Sequence, residues 1–395
     1  MIRFVSGRRR RGWRRPLTFA AACAVLAAVG VGGWATATRV FASKVAYTKA
    51  VYTKAVYTQG APQVATAVAP PAPVEFQAEV ERLARAYGEP VGIAISDVAQ
   101  GWTAAAAGDE VFPQQSVSKL WVALSVLQAV DRGQLQLDRT VMMLPEDRSV
   151  FYQPITRRIR GPNGFSITVA DLMRNALIES DNAANDRLIR ELGGADVVTR
   201  TIAEKRLRGV AVGGTERDMQ TRTAGLSWRP EYGQTWIFKQ ARAQLSDEVR
   251  DQALAAYLAN PPDGATPNGI VSGLAALKRG ELLSPSSTDF MLGLMGEART
   301  GQMRLRAGLA PGWRLAHKTG TGPDWRGASV GINDVGLFTA PDGRTFAVAV
   351  MIRQTKQGAE ARHRLMRNVA HAVEAYWQAG EAPPGGETSV VAAGL

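Results

Sequence analysis

The sequence predicts an α+β fold: an antiparallel sheet built from N- and C-terminal segments and covered by helices, with an all-helical lobe beside it. Two observations carry the prediction. Strand-like apolar runs stand near both ends of the globular region, Val91 to Ser96 and Trp102 to Ala106 at one end, Asp334 to Thr339 and Thr345 to Ile352 at the other. Between them, most of the chain has a helical pattern. Strands at the two ends belong in one sheet, so the domain has two lobes formed from a discontinuous chain.

The chain opens with seven arginines in its first fifteen residues, followed by an uncharged apolar run from Leu17 to Ala37. These 21 residues exceed the ~7–15 of a cleaved signal core and approach the ~20 that span a bilayer. Small-residue cleavage sites follow at Ala35-Thr36-Ala37 and Val40-Phe41-Ala42. Residues 1–37 therefore read either as a removed signal peptide or as a retained membrane anchor. In both cases, arginines on the cytoplasmic side place the rest of the chain outside the cytoplasm, in the periplasm or beyond, secreted or tethered. Cys23, the only cysteine, lies in this run, which leaves no intrachain disulfide.

Residues 38–74 read as a linker. A five-residue repeat runs from Ala46 to Gln59 and a Pro/Ala stretch from Ala61 to Val74, and a period of five suits neither strand nor helix. The catalytic domain is expected over residues 75–380. It starts with an amphipathic helix, Ala78 to Tyr87, whose stripe includes Val80, Leu83 and Ala84. Ala99-Gln100-Gly101 joins the first strand pair into a hairpin. Helices are expected over Leu120 to Asp131, over Ala170 to Glu179 with Thr168 as cap and Asp171 three residues on, and over Ala183 to Leu192 before Gly193-Gly194. Ala340-Pro341-Asp342-Gly343 turns the second hairpin, and a last helix, His363 to Ala379, precedes a tail over 381–395 expected to be disordered.

Composition narrows the function. An apolar content of 46% is ordinary for a packed domain. The net charge of +12 is a property of the first 74 residues, which hold eleven Lys and Arg and no acid, against 36 basic and 35 acidic residues in the remainder. A near-neutral domain does not fit a nucleic-acid partner. No H-E-x-x-H, C-x-x-C or Gly-rich phosphate loop occurs, so no metal or other cofactor is expected.

Three motifs point to acyl transfer: Ser116-Val117-Ser118-Lys119, Ser180-Asp181-Asn182 and Lys318-Thr319-Gly320. An S-x-x-K arises by chance about once in a chain this long and a K-T-G about a tenth of a time, so the ordered triple carries the information. Ser116 opens a run, Val117 to Val130, that is apolar on nearly every side. At the N-terminus of such a buried helix, free N–H groups face the charge that develops on an acyl oxygen. Lys119, three residues on, shares the face of Ser116, and burial beside another cation would strip its proton and make it a base. Ser180 in a helix-to-helix loop would shuttle a proton to the leaving group, Asn182 would bind a substrate amide, and Asp181 would turn inward to hold the loop. Lys318 supplies charge, Thr319 a hydroxyl for a substrate carboxylate, and Gly320 a close backbone approach. The N–H of Thr321 would join that of Ser116 in binding the oxyanion. His317, with no evident acidic partner, reads as structural.

On these motifs the chain resembles the class A serine β-lactamase family, as a divergent, penicillin-binding-protein-like serine hydrolase. Asp181 to Asn185 leading to Gly193-Gly194, Gly280 to Ser284, and Ala310-Pro311-Gly312-Trp313 leading into Lys318 look like family segments in family order, so the resemblance covers about residues 76–379. It implies the serine β-lactamase/D,D-peptidase fold, an acyl-enzyme on Ser116, a β-lactam or acyl-D-alanine substrate, and a monomer. The alternatives are a D,D-peptidase that acylates but deacylates slowly, and a non-catalytic cell-wall binding module. The family's deacylating glutamate lies 34 residues after the asparagine of S-D-N, which here is Glu216. The family's E-x-x-L-N reads Glu216-Arg217-Asp218-Met219-Gln220, and the longer Gln220 would move the amide that orients water. Glu231 is a rival fifteen residues later. The 98 residues from Gln220 to Lys318 exceed the family pattern. The excess is expected between Ala224 and Thr266, a stretch that contains Trp228, Tyr232 and Trp236, and because this insertion follows the glutamate loop it could reshape the cleft. Arg326, in a lengthened loop after K-T-G, is a further candidate for a substrate carboxylate.

Overall fold

The computed structural model describes residues 69–381. The arginine-rich start, the apolar run, the linker up to residue 68 and the tail beyond residue 381 lie outside the described residues.

In chain order, α1 (Val74–Tyr87) leads into β1 (Val91–Asp97), β2 (Thr103–Ala106) and the two-residue β3 (Phe112–Pro113). The chain then leaves the sheet for the helical lobe: α2 (Lys119–Asp131), the ribbon β4 (Thr140–Met143) and β5 (Phe165–Thr168), α3 (Val169–Ile178), α4 (Asn182–Glu191), α5 (Ala195–Glu204) and α6 (Glu216–Thr223). Next come α7 (Thr235–Ala243), α8 (Asp247–Ala259), β6 (Gly264–Ala265), α9 (Pro267–Lys278) and α10 (Pro285–Gly296). It returns through β7 (Arg314–Gly320), β8 (Asp324–Trp325), β9 (Ala328–Thr339), β10 (Thr345–Thr355) and α11 (Ala359–Glu381). The main sheet has the order β2-β1-β10-β9-β7, antiparallel throughout, with β8 on the edge of β9. Both ends of the domain thus share one sheet, as the sequence predicts. The first helix begins four residues earlier than its periodicity suggests, and so does the last.

The central strands read as unbroken apolar runs because both faces are buried. On β10, Phe346, Val348, Val350 and Ile352 pack under α1 and α11, while Ala347, Ala349 and Met351 face the inner helices. Burying each large aliphatic chain contributes about 1.5–3 kcal/mol. Smaller side chains on the inner face let α9 come close: a Cβ on Gly92 would stand 2.5 Å from Pro267 Cγ at the start of that helix.

In the lobe, α2 is buried along ten consecutive residues, Lys119 to Gln128, which suits a helix without a polar face. Thr168 and Asp181 cap α3 and α4 by accepting from Asp171 N and Ala184 N. The segment expected as an insertion folds into a 3-10 turn at Pro230–Gly233 followed by α7 and α8. Among the described residues, no helix is long and apolar enough to cross a membrane.

Candidate active site

A cleft of about 320 Å³ opens between the edge strand β7 and the helical lobe, with Ser116, Ser180, Asn182, Gln220, Thr319 and Thr321 among its walls. Ser116 sits in a 3-10 turn, Gln115–Ser118, one turn ahead of α2 and not in the first α turn. The cause is local. Gln115 has a left-handed φ of 53°, which the α-helix cannot absorb. Its N–H donates to Asp263 Oδ2 at 2.7 Å and its amide nitrogen to the Tyr257 hydroxyl at 2.6 Å, so neighbours hold the strained residue in place.

Lys119 is fully buried at the bottom of this turn, with Nζ 2.9 Å from Ser116 Oγ and 2.9 Å from Asn182 Oδ1. Its third partner is Glu216 Oε1, with which it forms a buried ion pair. This corrects the expectation of a neighbouring cation that deprotonates Lys119, because the closest charge is a carboxylate. The crowded cation is Lys318. Burial, and next the charge of Lys119, push it well below the usual lysine range. Lys318 Nζ lies 2.8 Å from Ser180 Oγ, and Ser180 is itself left-handed at φ 64°.

Asn182 spends its amide within the protein: Oδ1 meets Lys119 and Nδ2 donates to Val150 O at 2.9 Å. The arrangement supports a role in holding the lysine beside any role in binding a substrate amide. Asp181 is fully buried and accepts from Ile155 N and Ala184 N, and burial raises its carboxyl to about 6.

Gly320 closes the gap between β7 and the turn that carries Ser116, since a Cβ there would come within 2.3 Å of Gln114 O. The β7–β9 ladder ends at the Gly320–Asn333 pair, and Thr321, the next residue, lines the cleft. Thr319 Oγ1 lies 2.7 Å from Thr300 Oγ1.

Glu216 is the first residue of α6 and is 2% exposed. Two groups hold it. Asp186 accepts from Glu216 N at 2.6 Å and from Arg217 N at 3.1 Å, and Gln220 Nε2 donates to Glu216 Oε2 at 3.2 Å. Burial, and then the Glu216 charge, raise the Asp186 carboxyl to about 7. Gln220 also donates to Gln115 Oε1 at 3.0 Å, and its amide oxygen takes no donor among the described residues. Glu231 lies in the 3-10 turn outside the cleft.

Two expectations are overturned, those for Arg326 and for the surroundings of His317. Arg326 is turned away from the cleft and ion-pairs with Asp247 and Asp251 of α8. The insertion's aromatic residues stand apart from this cleft: Tyr232 packs with Val150 and Phe238, Trp228 lies under Arg217, and Trp236 is exposed. His317, expected to lack an acidic partner, has one in Asp334 at 2.7 Å, with both fully buried in the sheet. The arginine in the cleft is Arg304, which sequence reasoning missed because no local pattern marks it. It donates to Gly320 O at 3.0 Å, Asn333 O at 2.6 Å and Thr321 Oγ1 at 2.7 Å. Among the described residues, no group of three His, Cys, Asp or Glu side chains is placed to hold a metal ion.

A serine in contact with a buried lysine, a second lysine on a second serine, and an arginine at the end of an edge strand together define an acyl-transfer centre of the serine hydrolase type. The chain belongs to the β-lactamase enzyme family, whose model matches residues 75–377. It is 26% identical over 293 residues to β-lactamase VEB-1 of Pseudomonas aeruginosa, covering 74% of this chain and 87% of that protein. To the extended-spectrum β-lactamase PER-1 of the same organism it is 28% identical over 265 residues, covering 66% and 74%. A β-lactamase structure from Chitinophaga pinensis superposes with a TM-score of 0.62 at 25% identity, over 78% of this chain and 99% of that one. The TLA-3 extended-spectrum β-lactamase shares the fold at a TM-score of 0.63 and 22% identity, over 77% and 98%.

Proposed function

We propose that this protein is a serine β-lactamase that hydrolyses β-lactams through an acyl-enzyme on Ser116. The observation that carries the reading is the continuous contact from Ser116 Oγ through Lys119 Nζ to Glu216 Oε1. As Oγ attacks the lactam carbonyl, its proton passes to Lys119 while Lys119 gives one to Glu216. The negative oxygen that forms is met by the N–H groups of Ser116 and Thr321. Ser180, in contact with Lys318, hands a proton to the departing lactam nitrogen as the C–N bond breaks, and the proton taken up by Glu216 returns through Lys119 and cleft water to Ser180, so that Glu216 is again a carboxylate. Thr319 and Arg304 receive the substrate's ring carboxylate.

In the second half-reaction a water gives its proton to Glu216 and attacks the ester carbonyl, with the amide oxygen of Gln220 orienting it. Ser116 Oγ then leaves and recovers a proton through Lys119. A carboxylate buried this close to the nucleophile favours hydrolysis over the slow deacylation of a D,D-peptidase. The same proposal places the domain outside the cytoplasm as a monomer. The arginine-flanked apolar run at 17–37 supports that location, with the segment serving as signal or anchor.

The test is intact-mass spectrometry over time on the full chain with benzylpenicillin, beside hydrolysis of a chromogenic cephalosporin. A transient adduct with turnover, absent in Ser116→Ala, is expected. A stable adduct would instead identify a penicillin-binding peptidase, and no adduct would overturn both enzymatic readings.

A further inference from the structure

The cleft does not end at Gln220. Behind the wall formed by Phe151, Gln220 and Pro323 lies a second, smaller hollow that shares those three residues and continues toward the insertion. Its floor comes from α7 and α8, which contribute Arg242 and Arg250, and from the loop after K-T-G, which contributes Trp325. The space measures about 20 Å³, room for about one water-sized group.

Two guanidinium groups share this hollow, and neither makes an ion pair or a side-chain hydrogen bond among the described residues. The acids nearest in sequence are otherwise engaged, since Asp247 and Asp251 pair with Arg326 and Asp251 also accepts from Trp325 Nε1 at 2.6 Å. Aromatic faces hold the arginines instead. Arg250 lies 3.3 Å from the centroid of the Trp325 ring, and Arg242 lies 5.5 Å from that of Phe151. The Nε of Arg242 is buried without a partner. Burial, and next the charge of Arg250, lower the affinity of Arg242 for its proton. Two like charges in a partly dry hollow, with unused donors, call for an anion.

The direction of the hollow identifies the substrate group. Arg304 and Thr319 belong to the wall of the cleft at the end of β7, where Arg304 holds Gly320 and Thr321, whereas Gln220 belongs to α6 in the helical lobe and is bonded to Gln115 beside Ser116. A penicillin carries its ring carboxylate and its acyl side chain on opposite sides of the bicycle, so with the carboxylate on Arg304 the side chain is sent toward the wall of Gln220 and Phe151 that the cleft shares with the hollow of Arg242 and Arg250. We infer that Arg242 and Arg250 form an anion subsite for a carboxylate carried on the acyl side chain of the substrate. The inference rests on the β-lactamase reading and adds a preference to it. The small volume suits the tip of such a group.

The test compares benzylpenicillin with its α-carboxy analogue, carbenicillin, on the full chain and on Arg242→Gln and Arg250→Gln. The quantity read is the ratio of kcat/KM for carbenicillin to that for benzylpenicillin. Loss of one charged hydrogen-bonding partner is expected to lower this ratio roughly tenfold in each variant. In the parent protein, the ratio is also expected to fall as sodium chloride rises from low to physiological strength. A ratio that is unmoved by both substitutions and by salt overturns the subsite, and a variant that fails to fold leaves the parent's salt dependence to decide. Absence of any turnover or adduct with benzylpenicillin in the parent overturns the underlying reading, a result distinct from an unmoved ratio in an active enzyme.

Discussion

The side-chain amide of Gln115 donates to the hydroxyl of Tyr257 at 2.6 Å, tying the residue before the nucleophile to a helix of the insertion. Tyr257 in turn donates to Asp263 Oδ1 at 2.9 Å, and Asp263 Oδ2 accepts from the N–H of Gln115. The insertion is therefore part of the support that holds Ser116. Tyr257→Phe removes one hydroxyl from a buried network and leaves Gln115 with an unpaired donor, at a cost of about 1–3 kcal/mol. Urea unfolding should show that loss. A drop in kcat with little change in KM should accompany it, whereas a purely structural role would leave kcat in place.

Glu216→Gln keeps an oxygen beside Lys119 but cannot take a proton from water. The rate of deacylation is expected to fall about 10²–10⁴-fold, the usual contribution of a positioned base. Acylation should slow less. Mass spectrometry with benzylpenicillin should then find a long-lived adduct. If the variant turns over at the parent's rate, Glu216 is not the deacylating base.

Asp186 gives the protein a pH dependence of known sign. Its carboxyl moves from about 3.8 in the unfolded chain to about 7 in the folded one. Between those values the folded state holds more protons, so the stability linked to Asp186 falls as pH rises from about 4 to 7 and stays low above that. The slope cannot exceed about 1.4 kcal/mol per pH unit for one group. Asp186→Asn removes the titration. Although it costs a hydrogen bond to the backbone of α6 at every pH, the variant should gain on the parent across this window. Urea midpoints at several pH values read the difference, and a flat difference curve would contradict the assignment.

Arg304→Ala is expected to raise KM for benzylpenicillin about tenfold, with a smaller effect on kcat, because it removes a charged partner for the ring carboxylate. Arg304→Lys should recover only part of that, since one ammonium cannot reproduce the fork that spans Gly320, Asn333 and Thr321. Steady-state kinetics on the three proteins decides it.

Much of the architecture was legible in the chain. Hairpins near both ends, caps at Thr168 and Asp181 and the buried α2 follow from periodicity and local hydrogen bonding, and each stands within a few residues of its expected position. What misled was side-chain direction in long segments. Arg326 looked available beside K-T-G, yet α8 folds back and presents Asp247 and Asp251 to it. His317 looked to lack an acidic partner, yet the fold pairs it with Asp334 of β9.

The sequence by itself brought Ser116 and Lys119 together, because an S-x-x-K at a helix start puts two side chains on one face whatever surrounds them. Through the family resemblance, the spacing from Asn182 also singled out Glu216. Tertiary structure alone decided that Glu216 meets Lys119, that Asp186 holds it, that Arg304 and not Arg326 enters the cleft, and that Tyr257 braces Gln115. Those pairs lie tens to more than a hundred residues apart. Folding brings them together by burying charge where only a specific partner can satisfy it, and no local pattern records which partner that is.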